Sequence, residues 1–123
     1  MSATLDQLRA LCLALPETTE QVSWGDVPTF RVKNKIFVLV ENTHAALWCK
    51  APPGFQAMLL SSDSSVYFAP PYLGGKGWVG VRLTSSTDWN AVAALAEESY
   101  RLIAPKRLAV KLDARLEVSV TSR

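Results

Sequence analysis

The chain has 123 residues and a mass of 13.5 kDa, with 49% hydrophobic and 20% charged residues and a formal net charge of +2. That length suits one domain, and the hydrophobic share supports a packed core and excludes a disordered chain. No apolar run approaches the ~20 residues of a membrane helix, and so small a net charge does not by itself signal a polyanionic partner.

Ser2 or Thr4 can cap a first helix whose Leu5, Leu8, Cys12 and Leu15 form one stripe at three- and four-residue spacing, ended by Pro16. Asp6 and Arg9 stand among these leucines and no basic segment precedes them. The stretch therefore reads as a helix rather than a signal peptide, and the cytoplasm is the expected compartment. Thr18–Trp24 has a strand-like mixture, Gly25-Asp26 signals a turn, and Pro28 sets the next strand at or just after itself.

Phe30 and Val32 alternate with Arg31 and Lys33, the period of a strand with one wet face. Asn34-Lys35 is a short polar break. Ile36–Val40 is apolar on both faces and β-branched, which suits a central strand. Glu41-Asn42-Thr43-His44 turns the chain, and Ala45–Lys50 returns.

Ala51-Pro52-Pro53-Gly54 opens a short helix, Phe55–Leu60, with Phe55, Met58, Leu59 and Leu60 on its apolar side. Ser61–Ser65 is a polar loop, Val66–Ala69 a short strand stopped by Pro70-Pro71, and Tyr72–Gly77 a glycine-rich loop. In the strand Trp78–Leu83, Val79, Val81 and Leu83 take one face and Trp78, Gly80 and Arg82 the other.

Ser86 or Thr87 caps the longest helix, Asp88–Ala104, with Trp89, Val92, Leu95, Ala96, Ser99, Leu102 and Ile103 near one face. Pro105 starts a further helical piece, Lys106–Leu112. Residues 1–112 thus form a single domain, and 113–123 are expected to be a disordered tail. This order of elements predicts an α+β fold, an antiparallel sheet with helices gathered on one face.

Chemistry is sparsely marked. Cys12, Cys49 and His44 lack metal-ligand spacing, so no metal and no cofactor is expected. No nucleophile or base motif occurs, and Asp26, Glu41 and Asp63 are turn carboxylates, so no catalytic residue is assigned. The loop at 72–77 leads into a strand rather than a helix, which removes the phosphate-cradle reading of its glycines.

With the valines turned toward the helices, Arg31, Lys33, Trp78 and Arg82 share the opposite face. Trp48 and Lys50 join it by their spacing, and Lys35 and Lys76 lie in adjoining turns. Aromatics interleaved with cations stack bases and neutralise phosphates. Lys33, Lys35, Lys50, Lys76, Trp78 and Arg82 are accordingly the candidate nucleic-acid contacts. Residues 101–123 add six basic against two acidic side chains.

Several stretches in this order resemble the MmcQ/YjbR family. They are LALPETTE at 13–20, WGDVPTFRVKNKIFVLV at 24–40, WCK at 48–50, KGWVGVRL at 76–83 and ESYRLIAPKRL at 98–108. The resemblance covers about residues 5–110. It implies a curved antiparallel sheet backed by helices, similar to the frataxin-like (CyaY-like) fold, and a DNA-binding role. The family's recurrent segments fall on Trp24-Gly25, Thr29-Phe30, Lys35-Ile36-Phe37, Lys50, Lys76-Gly77-Trp78-Val79 and Ser99-Tyr100. The acidic ridge with which frataxins hold iron does not carry over, since the first helix offers only Asp6.

The expectation is a monomeric cytoplasmic binding module, not an enzyme, that meets DNA or another nucleic acid through a basic and aromatic sheet face. The alternative is a protein-interaction or small-ligand module.

Overall fold

The computed structural model describes the backbone of residues 2–41 and 45–121 and the side chains of residues 4–41 and 45–115. The turn residues Asn42, Thr43 and His44 lie outside the described residues. The elements are α1 (Ser2–Leu13), β1 (Thr18–Ser23), β2 (Val27–Val32), β3 (Lys35–Val40), β4 (Ala46–Cys49), α2 (Phe55–Ser62), β5 (Tyr67–Phe68), β6 (Val79–Arg82), α3 (Trp89–Ile103) and α4 (Lys106–Thr121). The strands form one open antiparallel sheet in the order β1-β2-β3-β4-β6-β5, the α+β architecture that the element order predicts.

The β2–β3 hairpin turns on Lys33 and Asn34, at φ 52° and 64°, with Val32 opposite Lys35. A two-residue turn of this kind needs positive φ at both positions, which asparagine tolerates well. The break thus lies one residue earlier than the sequence suggests, and Lys35 begins β3. Pro28 sits inside β2 opposite Val22, but the β2–β3 ladder begins only at Thr29, so its missing N–H interrupts no bond there.

One irregularity shapes the core. Phe30 pairs with Val38 and Arg31 with Ile36, leaving Phe37 as an extra residue. Such a bulge bends the strand and re-aims a side chain. Here Phe37 and Val38, neighbours in sequence, are both fully buried. The Phe37 ring meets Tyr100 of α3 edge-on, with centroids 5.6 Å apart and planes at 80°. The Tyr100 hydroxyl donates to the Pro16 carbonyl at 2.7 Å, tying α3 to the α1–β1 connection.

Around this contact Val32, Val40, Leu47, Val79 and Val81 of the sheet pack with Leu8, Cys12, Val92, Leu95, Leu108 and Leu112 of the helices.

Several local readings are corrected. Thr4 lies inside α1, which begins at Ser2. The α2 helix runs on to Ser62, and Met58, expected on its apolar side, is exposed. Asp88, not Ser86 or Thr87, caps α3 by accepting from the N–H groups of Asn90 and Ala91, while the Thr87 hydroxyl accepts from the Thr84 N–H. On α3 the buried aromatic is Tyr100, and Leu102 is exposed. The helical piece expected to end at Leu112 continues as α4 to Thr121, through most of the segment read as a tail.

Tyr100→Phe keeps the ring contact with Phe37 and leaves the buried Pro16 carbonyl without its donor. Its expected cost is about 1–2 kcal/mol. Tyr100→Ala should cost about 3–5 kcal/mol. Urea denaturation checks both: a Tyr100→Phe midpoint equal to wild type would mean that the hydroxyl bond contributes nothing.

Candidate ligand-binding surface

The helices cover one face of the sheet, and alternation assigns the rest to the other. Register places Gln21, Thr29, Leu39, Trp48, Gly80 and Phe68 in one row across all six strands of that outer face. Gly80 is required in this row, because a Cβ there would run into the Phe68 ring. The Arg82 guanidinium lies 4.7 Å from the centre of the same ring and donates to the Ser64 carbonyl at 3.2 Å. Val79 and Val81 are buried beneath the helices while Arg82 is exposed, the facing that β6 alternation predicts.

Beside this row lies a groove of about 620 Å³ lined by Trp24, Val27, Leu39, Glu41, Trp48, Pro71, Tyr72 and Leu73. Leu39 and Trp48 form its floor from adjacent strands. Trp24 and Tyr72 reach it from loops and are 69% and 94% exposed. Both have positive φ, 50° and 67°, among only five such non-glycine residues described. Bulky residues seldom adopt that conformation, and it concentrates at functional sites. The Glu41 carboxylate accepts from the Ala45 N–H at 3.1 Å, which fixes it at the β3–β4 turn. The sequence places Trp48 with Lys50 on the outer face and Trp24 in a recurrent family segment, and assigns neither Trp24 nor Tyr72 a binding role; their positions beside turn signals are the available clue.

The six residues proposed from the sequence do not form one patch. β3 and β6 run one way and β4 the other. Lys35 at the start of β3, Lys50 just after β4, and Lys76 and Trp78 just before β6 therefore share one end of the sheet. Arg82 ends β6 and lies at the other end, about 10 Å along the strand.

Lys33 sits in the hairpin turn rather than on the outer face, with its ammonium 3.8 Å from Glu17. Glu17 also receives two hydrogen bonds from Arg107, which hold its carboxyl below the usual range. Trp78 is partly buried, and its carbonyl accepts from the Gln56 amide at 2.6 Å.

Charge pairing separates the cations. Arg9 binds Glu20 and Asp6, Arg101 binds Asp113 and Glu97, and Arg107 binds Glu17. The C-terminal basic excess is thus partly neutralised. Arg31, on the outer face, donates to Thr29 and Ser23. Among the described residues no carboxylate lies within ion-pair distance of Lys35, Lys50 or Lys76.

A second cleft, of about 550 Å³, opens between β5–β6 and the start of α3. Its carboxylates are engaged internally, Asp88 with the α3 N-terminus and Asp63 with Ser65. Cys12 and Cys49 are free and buried. Burial raises both thiols, Cys49 to about 12 although the Ser99 hydroxyl acts the other way. Among the described residues no group of three or more His, Cys, Asp or Glu could hold a metal ion, and no helix is long and apolar enough to cross a membrane.

An open six-stranded antiparallel sheet, helices on one face and an aromatic groove on the other describe a small α+β domain of the kind the sequence motifs suggested. The YjbR family model matches residues 13–102, from the end of α1 through nearly all of α3, and the chain belongs to that family. The crystal structure of Deinococcus radiodurans protein DR2400, a protein with the DUF419 domain, is similar to it with a TM-score of 0.74 and 25% identity. The similarity covers 83% of this chain and 79% of that one. No protein with a curated description matches the sequence.

Gly80→Ala must displace the Phe68 ring and with it the Arg82 contact, at an expected cost of about 1–3 kcal/mol. Adding Phe68→Ala should abolish most of that penalty. A thermodynamic cycle on the two substitutions checks this, and additive effects would contradict it.

The thiols predict an alkaline loss of stability. Their unfolded forms ionise near about pH 8.5 while the folded forms stay protonated, so the unfolded state binds fewer protons and stability falls as pH rises. Between about pH 9 and 10 the slope should approach about 2.7 kcal/mol per pH unit. The Cys12→Ala/Cys49→Ala variant should be flatter there, and an unchanged slope would rule the thiols out as its source.

Proposed function

We propose that the chain is a small binding module that takes single-stranded nucleic acid at the sheet end bearing Lys35, Lys50 and Lys76. The observation that carries this reading is that, among the described residues, they have no carboxylate partner, when Arg9, Arg101 and Arg107 are all ion-paired. A lysine held against a carboxylate is a poor phosphate ligand, because binding must first break the pair. Lys33 is weakened as a contact for that reason, and Arg82 is too far along β6 to join a short strand at the lysine end.

Trp78 adjoins the lysines but is partly buried, so stacking adds little and phosphate neutralisation dominates. Affinity is then modest, indifferent to sequence and sensitive to salt. A second reading, a module for a small ligand or a protein segment, is favoured by the groove, whose lining among the described residues holds no lysine or arginine.

The test is fluorescence anisotropy of a labelled single strand and of the matching duplex at several salt concentrations. With about three phosphate contacts, log affinity against log salt should slope at roughly −2 for the single strand. Lys76→Ala should flatten the slope by about 0.7, and Trp78→Ala should matter less than Lys76→Ala. Absence of binding at low salt, or binding that neither Lys35→Ala nor Lys76→Ala alters, would sink the nucleic-acid reading in favour of the second.

A further inference from the structure

The outer groove and the lysine-bearing end adjoin one another. Lys50 stands between Cys49 and Ala51, both in the core, so alternation turns its side chain to the outer face beside Trp48. The two residues lie about 7 Å apart along the chain. Lys76 follows Tyr72 by four residues in the loop before β6. That loop is held from α2, since the Gln56 amide donates to the Gly74 and Trp78 carbonyls at 2.8 and 2.6 Å. Each of these lysines is thus joined through a short piece of chain to a ring that lines the groove.

The rings themselves are unused. Among the described residues the ring contacts are Phe37 with Tyr100 and Arg82 over Phe68, and none involves Trp24, Trp48 or Tyr72. The Trp48 indole N–H is buried, so Trp48 presents ring surface rather than its donor to the groove. Left-handed backbone holds Trp24 and Tyr72 toward water, where hydrophobic burial alone would not put them. Glu41, the charged residue of the lining, is engaged at the β3–β4 turn, which leaves flat apolar surface as the chemistry on offer.

Flat faces suit a flat ligand. Every nucleobase has a π-face that stacks on aromatic side chains, and stacking asks for no charge and no particular base. A purely apolar guest would use the rings and leave the neighbouring lysines idle, and a bare phosphate would do the reverse. A nucleotide uses both, with its base in a groove of about 620 Å³ and its phosphate at the lysine end. Trp78, partly buried, cannot supply the same stacking.

We propose that the groove is the base-stacking subsite for a single strand whose phosphates lie at Lys50 and Lys76, with Trp24, Trp48 and Tyr72 giving the faces. This subsite rests on the nucleic-acid reading and adds to it the place where a base goes.

The experiment is a calorimetric titration at several salt concentrations with unlabelled strands, because a dye is itself an aromatic ligand. A thymidine octamer is compared with an abasic octamer of the same phosphate charge and with thymidine monophosphate. The thymidine octamer should bind about tenfold or more tighter than the abasic one, and also tighter than the monophosphate.

Trp24→Leu and Tyr72→Leu keep apolar bulk at exposed positions and remove the rings. Each should weaken the thymidine octamer severalfold, leave the abasic octamer unchanged and keep the salt slope. Lys50→Ala should instead weaken both octamers alike and flatten the slope by about 0.7. Equal binding of the two octamers, or a preference for thymidine that survives both ring substitutions, would overturn the subsite and leave the phosphate reading standing. Monophosphate bound as tightly as the thymidine octamer would overturn it in favour of a free-nucleotide site. Absence of binding by all three at low salt would remove the subsite and the nucleic-acid reading together.

Discussion

The fold depends on the burial of Tyr100. One side chain meets the sheet through the Phe37 ring and the N-terminal helix connection through the Pro16 carbonyl. A tyrosine with no solvent exposure needs a partner for its hydroxyl, because an unpaired buried donor costs more than a satisfied one returns. The bulge in β3 answers this demand from the other side. By adding Phe37 to the strand it turns two successive side chains into the core and gives Tyr100 an edge-on neighbour. Helix α3 is thereby seated over β3 and β4, and α1 packs between it and β1.

Covering one face of the sheet leaves the other to define the surface chemistry. Leu39 and Trp48 there are apolar and central, and their exposure is limited by the loop at Pro71–Leu73 rather than by a helix. The same face carries its polar groups at the margins: Arg31 bound to its own strand and its neighbour, and Arg82 over Phe68. A sheet face that is apolar in the middle and open at the edges is a natural seat for a ligand. The lysines gather at one end because the β2–β3 turn, the exit from β4 and the entry to β6 all fall there. Two surfaces of different chemistry thus lie on one small domain.

Ion pairing gives the helical side a different character. Glu17 joins the α1–β1 connection to the β2–β3 turn through Lys33 and to α4 through Arg107. Arg101 joins α3 to α4 through Asp113. Exposed pairs of this kind contribute little to stability individually. Their consequence here is functional, since a cation held by a carboxylate is withdrawn from the surface available to an anion.

Much of this was legible in the sequence, and the reason is locality. The stripe Leu8–Cys12, the alternation of Phe30 with Arg31 and of Val81 with Arg82, and the breaks at Pro16 and Pro70-Pro71 are set by neighbours within a turn or a strand. So elements, facing and fold class followed from the residues alone. The bulge at Phe37 and the extension of α4 past Leu112 did not, because contacts with distant parts of the chain, Tyr100 for the one and Arg101 for the other, choose among local options. The cap at Asp88 did not either, although its bonds are local, because Ser86, Thr87 and Asp88 are all able to cap a helix. The candidate site was the least legible. Lys33 and Arg82 read like Lys35 and Lys76 until Glu17 and the direction of β6 separate them. Trp24, Trp48 and Tyr72 stand 24 residues apart in sequence. Only strand order and two left-handed loop residues bring them to one groove, since a side chain's neighbours across a sheet are decided by register and not by its own preference.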